Sequence, residues 1–168
     1  MKSTTMQHGV LIITGTSTAL MAGLFYAYSC SVMPGLGRLS DLQFLSAMQS
    51  INSAILNPVF FLGFLSPLLL LPLSSYLSYS APVSARFVCL LLATFTYFIG
   101  VVGVTGAVNV PLNEALAQFD LKSASAEALT QQRILFEARW NMGNVWRTLA
   151  SIFTAVLVIV ACVCPSKN

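Results

Sequence analysis

The sequence has little charge, one histidine and no C-x-x-C cysteine pair. Only 8% of its 168 residues are charged and 57% are hydrophobic, whereas about a quarter of the residues in an average soluble domain are charged. This composition disfavours a soluble fold with a very large core, because the helices of such a fold would need polar faces. We therefore expect an integral membrane protein.

The scarce residue types also limit the chemistry. His8 is the only histidine, and no His, Cys and carboxylate side chains occur at metal-ligand spacing. We expect no metal and no cofactor, and a haem held by two histidines of one chain is excluded. The four cysteines form no C-x-x-C pair, which disfavours a disulfide oxidoreductase. We interpret them as packing residues.

Four apolar stretches are long enough to cross a bilayer, which takes about 20 mainly apolar residues. The predicted fold is all-α: one domain, residues 1–168, forming a four-transmembrane-helix bundle with an amphipathic helix in each of the two long connections. Its predicted transmembrane helices cover residues 9–33, 58–80, 84–108 and 145–164, and its amphipathic helices cover residues 41–56 and 125–144. The first apolar run is too long for a cleavable signal peptide.

Four spans place both termini on one side of the membrane. That side offers Lys2, Arg86 and Lys167 as positive charges, and the opposite side offers Arg38, Lys122, Arg133 and Arg139. The charges thus leave both orientations open, and of the two we expect the side of the termini to face the cytoplasm of a bacterial cell. Both long connections then lie on the opposite side. The expected partners are the lipid bilayer and a small hydrophobic molecule, with no nucleic acid.

The first predicted helix carries a row of small residues spaced by four: Gly15, Ala19, Gly23, Ala27 and Ser31. In lipid such rows allow two helix backbones to approach closely. We expect this row to face another helix, either within the bundle or in a homo-oligomer.

Polar residues collect where the third and fourth helices meet the membrane surface. In "NVPLNEAL", Asn109 and Asn113 flank Pro111, and they either cap helix ends or face a ligand. On the last helix one polar stripe descends into the membrane: Glu137, Asn141, Asn144, Thr148 and Ser151. Polar residues within a span usually face the interior and often mark a site.

Four segments carry a resemblance: "AGLFYAYSCSVMPGL", "AMQSINSAILNPVF", "GVTGAVNVPLNEAL" and "WNMGNVWRTLAS". Together they resemble the anthrone oxygenase-like family of small four-helix membrane proteins, in the same order and over nearly the whole chain. For fungal members the resemblance implies oxidation of a reduced tricyclic anthrone to an anthraquinone by dioxygen. The matching positions are Asn109, Pro111, Asn113, Trp140, Asn144, Arg147 and Thr148. Relatives often carry a histidine where this chain has Asn144.

The resemblance leads to an oxidoreductase hypothesis without a cofactor. An acidic methylene needs a base and a stabiliser for the resulting oxyanion. We expect Glu137 or Glu114 as the base. Arg147 and Asn144, with Asn109 and Asn113, are expected to hold the oxyanion. The expected pocket-lining residues are Trp140, Trp146, Phe25 and Tyr26, with Thr148 also binding substrate.

The sequence also allows roles outside a ligand site for several of these residues. Arg147 also fits a side chain that reaches the interface, the tryptophans fit interfacial anchors, and both glutamates fit solvated positions. A non-enzymatic membrane carrier or a structural interaction subunit is the alternative function. A carrier predicts a polar path to the other side, and helices 2 and 3 offer few polar residues for one.

Overall fold

The computed structural model describes residues 4–164, and over this range the chain is helical without β-strands. Lys2 and Lys167, used above to orient the protein, lie outside the described residues. The α-helices are α1 (Thr4–Ala27), α2 (Met33–Leu36), α3 (Asp41–Ala54), α4 (Pro58–Ser78), α5 (Ala85–Thr96), α6 (Val110–Ala117) and α7 (Ala126–Val163). Three π-helical segments join some of them end to end: Tyr28–Val32, Tyr97–Gly103 and Thr105–Asn109.

Four continuous helical stretches in the described chain are long and apolar enough to cross a membrane. We name them spans 1 to 4: Met6–Leu36, Pro58–Ser78, Ala85–Ala117 and Ala126–Val163. The predicted all-α, four-span fold class is thereby confirmed. Span 3 differs from the prediction, because it continues past residue 108 and through Pro111 to Ala117. The segments expected at 125–144 and 145–164 are continuous and form one 38-residue helix, α7.

The spans close into a ring. α1 packs against α4 and α7, and α5 packs against the same two helices. The core includes Leu71, Leu90 and Val158, and Tyr97 donates a hydrogen bond across it to the carbonyl of Phe64 at 2.8 Å. Gly100 lets span 3 approach span 4 closely, since an added Cβ there would lie 2.5 Å from the Cβ of Ala150.

Two π-helical segments directly precede prolines. Proline at position i lacks the N–H that would bond to the carbonyl of residue i−4, and its ring crowds that carbonyl. Before Pro34 and Pro111 the chain instead makes longer-range bonds, from the N–H of Met33 to Tyr28 and from the N–H of Val110 to Thr105. A π-turn widens the helix at such a point. Spans 1 and 3 therefore pass through their prolines without ending.

α3 lies over one end of the bundle. It begins with a capping box formed by Ser40 and Gln43. Its apolar face packs into a second core, the mouth cluster: Met33, Phe44, Leu45, Met48, Leu116, Phe136 and Trp140. Polar contacts fasten the same region to α7. Arg133 pairs with Asp41 at 3.0 Å and donates to the carbonyls of Gly37 and Leu39. α3 therefore covers this end of the bundle, which we call the mouth, and the contacts of Arg133 fix the start of α3 to α7.

The small-residue row on α1 is largely unused inside the bundle. Gly15 faces Val158, whose Cγ1 would lie 3.6 Å from an added Cβ. The other four members are exposed on the outer surface of the monomer. Contact through this row in a homo-oligomer stays a prediction.

Candidate functional site

A cavity of about 90 Å³ lies under α3, between the mouth ends of spans 1, 3 and 4 and the start of α4. Its apolar wall comes from Leu24, Phe25, Tyr28, Ile51, Ile55, Leu56, Phe60, Val110 and Trp140, and its polar groups come from Asn52, Thr105, Asn109, Asn113, Asn144 and Arg147. A mostly apolar pocket with a few convergent polar groups is the usual form of a small-molecule site.

Within the described part of the chain, Arg147 is the one positive residue that lines this cavity, and it is 7% exposed. The ion pairs found among residues 4–164 are those of Arg133 with Asp41 and Glu137, so the guanidinium of Arg147 has no carboxylate partner there. Instead it lies 4.7 Å from the ring centre of Phe25 and 5.3 Å from that of Trp140. These are cation–π distances.

Hydrogen bonding satisfies the guanidinium of Arg147 only in part. Its Nη2 donates to Oδ1 of Asn144 at 3.1 Å, while its Nε is buried without a partner. A buried charge is costly unless it is paired and hydrogen-bonded. The cation is thus held in place by aromatic rings and one amide, with a donor left for another molecule.

Asn144 orients Arg147 and ties α7 to span 1. Its Nδ2 donates to Oγ of Ser29 at 2.8 Å and to the carbonyl of Phe25 at 3.2 Å. Thr148 supports this arrangement from the next turn, because its hydroxyl donates to the carbonyl of Asn144 and lies 2.9 Å from the hydroxyl of Ser29. Thr148 does not itself line the cavity.

Asn109 faces the cavity and does not cap a helix. It has helical backbone angles, its side chain makes no capping bond, and the chain stays helical into α6. The capping alternative is therefore wrong for Asn109. Its Nδ2 donates to the carbonyl of Trp140 at 3.1 Å, and its Oδ1 is buried without a partner. Trp140 in turn donates from Nε1 to Oδ1 of Asn113 at 2.8 Å, so both asparagines hold Trp140.

Gly143 allows Asn109 to come this close to α7. An added Cβ at Gly143 would lie 2.6 Å from Oδ1 of Asn109, a distance at which atoms must shift. Gly143 is not among the site residues predicted from the sequence. Its position three residues after Trp140 and four before Arg147 places it on the same helical face, and this spacing was the available signal.

Asn52 is a second residue that sequence reasoning did not select. It lines the cavity from α3, and its Nδ2 is buried without a hydrogen-bond partner among the described residues. It follows the fully buried Met48 by four positions, so it belongs to the inward face of α3. The three unpartnered buried side-chain atoms found in residues 4–164 belong to Asn52, Asn109 and Arg147, and all three residues line this one cavity.

The structure does not bring Glu137 into the cavity. Its carboxylate pairs with Nε of Arg133 at 2.7 Å, one turn earlier on α7, and the residue lines a neighbouring cavity of about 480 Å³ with Arg38 and Asn141. Glu114 is exposed. No acidic residue of the described chain lines the cavity of Arg147.

Two aromatic residues expected to line the pocket lie elsewhere. Tyr26 is 56% exposed and Trp146 is 61% exposed, and neither contributes to the wall. Tyr28 lines the cavity, where Tyr26 was expected. Tyr28 lies three residues after the buried Phe25 and therefore on the same face of the helix. Its ring centre is 5.7 Å from that of Trp140.

The fold and the site define a class of protein: small all-α membrane proteins with an aromatic-walled, cation-bearing cavity at one end of a four-helix bundle. A family model described as "Anthrone oxygenase" matches residues 59–157, which is more than half of the chain. The chain belongs to the anthrone oxygenase family. Searches of the curated proteins and of the solved structures found no significant match.

The matched segment includes spans 2 and 3 and most of span 4, and with them Asn109, Asn113, Trp140, Asn144 and Arg147. The cavity walls contributed by span 1 and α3 lie outside it.

Proposed function

We propose that the cavity binds a small aromatic molecule with an ionisable oxygen and that the protein oxygenates a reduced ring carbon of that molecule, as the family description implies. The observation that carries the proposal is the buried guanidinium of Arg147, which has no carboxylate partner in the described chain and an unpartnered Nε. An oxygen that gains negative charge on the ligand supplies the missing counter-charge.

The proposed chemistry needs no added reductant. Loss of a proton from an anthrone methylene to water gives an anion whose charge is shared between that carbon and the ring oxygen. The carbon attacks dioxygen, and the resulting peroxide anion takes a proton back from water. The hydroperoxide then loses water to leave a carbonyl group. The CH₂ group and O₂ thus become C=O and H₂O. Arg147 assists by favouring the anion, since a nearby positive charge lowers the pKa of an ionising group.

The base expected from the sequence is remote in this arrangement. Glu137 is engaged by Arg133 and lines the neighbouring cavity. We therefore assign the main effect to stabilisation of the anion by fixed donors, which elsewhere accelerates reactions by about 10²–10³ per donor. Asn144 positions Arg147, because its Oδ1 accepts the 3.1 Å hydrogen bond from Nη2 of Arg147.

The size and openings of the cavity indicate how a ligand is held. An apolar cavity of about 150 Å³ takes up benzene, so a cavity of about 90 Å³ accepts only the oxygen-bearing edge of a three-ring molecule. Leu56 and Val110 line the cavity and are 66% and 39% exposed. The rest of the molecule would lie between them, towards the lipid, because the mouth cluster covers the other side.

The test uses purified protein in nanodiscs with anthrone as the probe. Oxygen uptake and anthraquinone formation are measured above the rate without protein. We expect Arg147→Met to lower the protein-dependent rate by about 10²-fold or more. The matched control is Arg139→Met, which removes an exposed arginine on the same helix and should leave the rate unchanged. Normal turnover by the Arg147 variant would refute the site.

A carrier that binds the molecule without oxidising it is the second candidate. It is favoured by the lack of an acidic residue in the wall of the cavity within the described chain. Tight anaerobic binding of anthrone by the wild-type protein, with oxygen uptake no faster than the background, would identify a carrier. For either function we propose a bacterial cytoplasmic membrane as the location, with cytoplasmic termini.

A further inference from the structure

Asn52 has no structural partner that explains its presence on the inward face of α3. No hydrogen bond joins its carboxamide to the described chain, and its Nδ2 is fully buried in the cavity wall. An unpaired buried donor destabilises a protein. Leucine has nearly the same shape and would suit the neighbouring Ile51 and Ile55 without this penalty, so stability alone does not account for an asparagine.

The amide donors of the two most deeply buried asparagines in the cavity wall, Asn109 and Asn144, are already used. Nδ2 of Asn109 donates to Trp140, and Nδ2 of Asn144 donates to Ser29 and Phe25. Among residues 4–164, the fully buried side-chain donors without a partner are Nε of Arg147 and Nδ2 of Asn52. They reach the same small cavity from α7 and from α3.

We propose that Asn52 contacts the ligand directly, and that its Nδ2 and the Nε of Arg147 together hold one oxygen of the bound molecule. A carbonyl or enolate oxygen has two lone pairs and accepts two such bonds. This inference rests on the proposed binding of an oxygen-bearing aromatic molecule. It adds that the oxygen site is divided between two helices and is complete only while α3 lies on the bundle.

The contacts of Arg133 make this division physically reasonable. Arg133 joins α7 to Asp41, the first residue of α3, and to the carbonyls of Gly37 and Leu39 in the preceding turn. Its guanidinium also lies 4.5 Å from the ring centre of Phe44. These contacts fix the start of the helix that carries Asn52, so they set the position of its Nδ2 relative to Arg147.

The test compares anthrone with anthracene, which has three rings and no oxygen, in binding measurements without dioxygen. Wild-type protein, Asn52→Leu, Arg147→Met and the double variant are measured in nanodiscs. We expect Asn52→Leu to weaken anthrone binding roughly five- to tenfold, the effect of one hydrogen bond, and to leave anthracene binding unchanged. If both donors hold one oxygen, the effects of the two substitutions are not additive.

A stability measurement separates ligand contact from a structural role. Removing an unpaired donor should leave the thermal midpoint of the ligand-free Asn52→Leu protein unchanged or raise it, whereas loss of a structural contact would lower it. Asn52→Ala repeats the test without a larger side chain, and Ser53→Ala is the control at an exposed neighbour.

Each outcome decides the proposal. Equal weakening of anthrone and anthracene, or unchanged anthrone binding by both Asn52 variants, would overturn the role of Asn52 while leaving the proposed function in place. Wild-type protein that binds neither probe would overturn both.

Discussion

Replacing Gly143 with alanine tests whether the close approach of Asn109 to α7 builds the cavity. The new Cβ would lie 2.6 Å from Oδ1 of Asn109 and 3.1 Å from its Cγ and Nδ2. Contacts that short involve the whole carboxamide, so a small rotation does not relieve them. Asn109 must move away, and its hydrogen bond to the carbonyl of Trp140 is then lost.

The magnitude follows from three opposing effects. Alanine is favoured over glycine inside a helix by about 1 kcal/mol. Overpacking a well-filled site costs about 1–3 kcal/mol, and leaving the buried amide and carbonyl unpaired costs about 1–3 kcal/mol more. We expect Gly143→Ala to destabilise the protein by roughly 3 kcal/mol and to weaken anthrone binding.

Thermal unfolding in detergent and anaerobic anthrone binding are the assays. The matched control is Gly106→Ala on the facing span, where an added Cβ meets nothing within 4 Å, so the helix preference of alanine acts alone and stability should rise or stay the same. If Gly143→Ala behaves like Gly106→Ala in both assays, the packing of Asn109 against α7 does not shape the site and the reasoning is refuted.

Two further predictions concern the walls of the cavity and the docking of α3. Tyr28→Ala should weaken anthrone binding several-fold, while Tyr26→Ala, at an exposed position, should not; equal effects would contradict the assignment of the wall. Hydrogen bonds from Thr130 and Arg133 lower the pKa of Asp41 below its usual value. The stability that these hydrogen bonds contribute is therefore fully present above the pKa of Asp41 in the unfolded chain, about 3.9. It is lost as the pH falls through the lower pKa that Asp41 has in the folded protein. The protection factors of the α3 amides, corrected for the intrinsic exchange rate at each pH, should fall below about pH 4, and Asp41→Asn should reduce this fall.

Hydropathy and helical spacing were enough to predict the four spans and the inward polar stripe on α7. Length and apolar composition identify a span almost regardless of packing. Asn144, Thr148 and Ser151 are all buried, because polar groups in a membrane helix are driven towards the bundle interior.

The end of span 3 was not predicted because proline is usually a helix breaker. The run Thr105–Asn109 changes to a π-helix before Pro111, and no residue pattern in the sequence forecasts that change. It decides the role of Asn109, which is buried against α7 instead of lying at a helix end.

Other parts of the site had signals that were not used. Arg133 and Glu137 are four residues apart on a helix, the spacing of an ion pair, which already made Glu137 a poor candidate for a free base. Asn52 lies one turn after the buried Met48. The absence of a partner for Asn52 depends on the tertiary packing of α3, and it follows only from three-dimensional contacts.

The placement of the tryptophans gives the protein an optical probe of its own cavity. The sequence contains two, Trp140 and Trp146; the first is 4% exposed in the cavity wall and the second is 61% exposed on the outer surface. A Trp146→Phe protein would emit from Trp140 alone, next to the guanidinium of Arg147. The wavelength of its emission maximum and its fluorescence lifetime would then report ligand binding in the cavity without an added label.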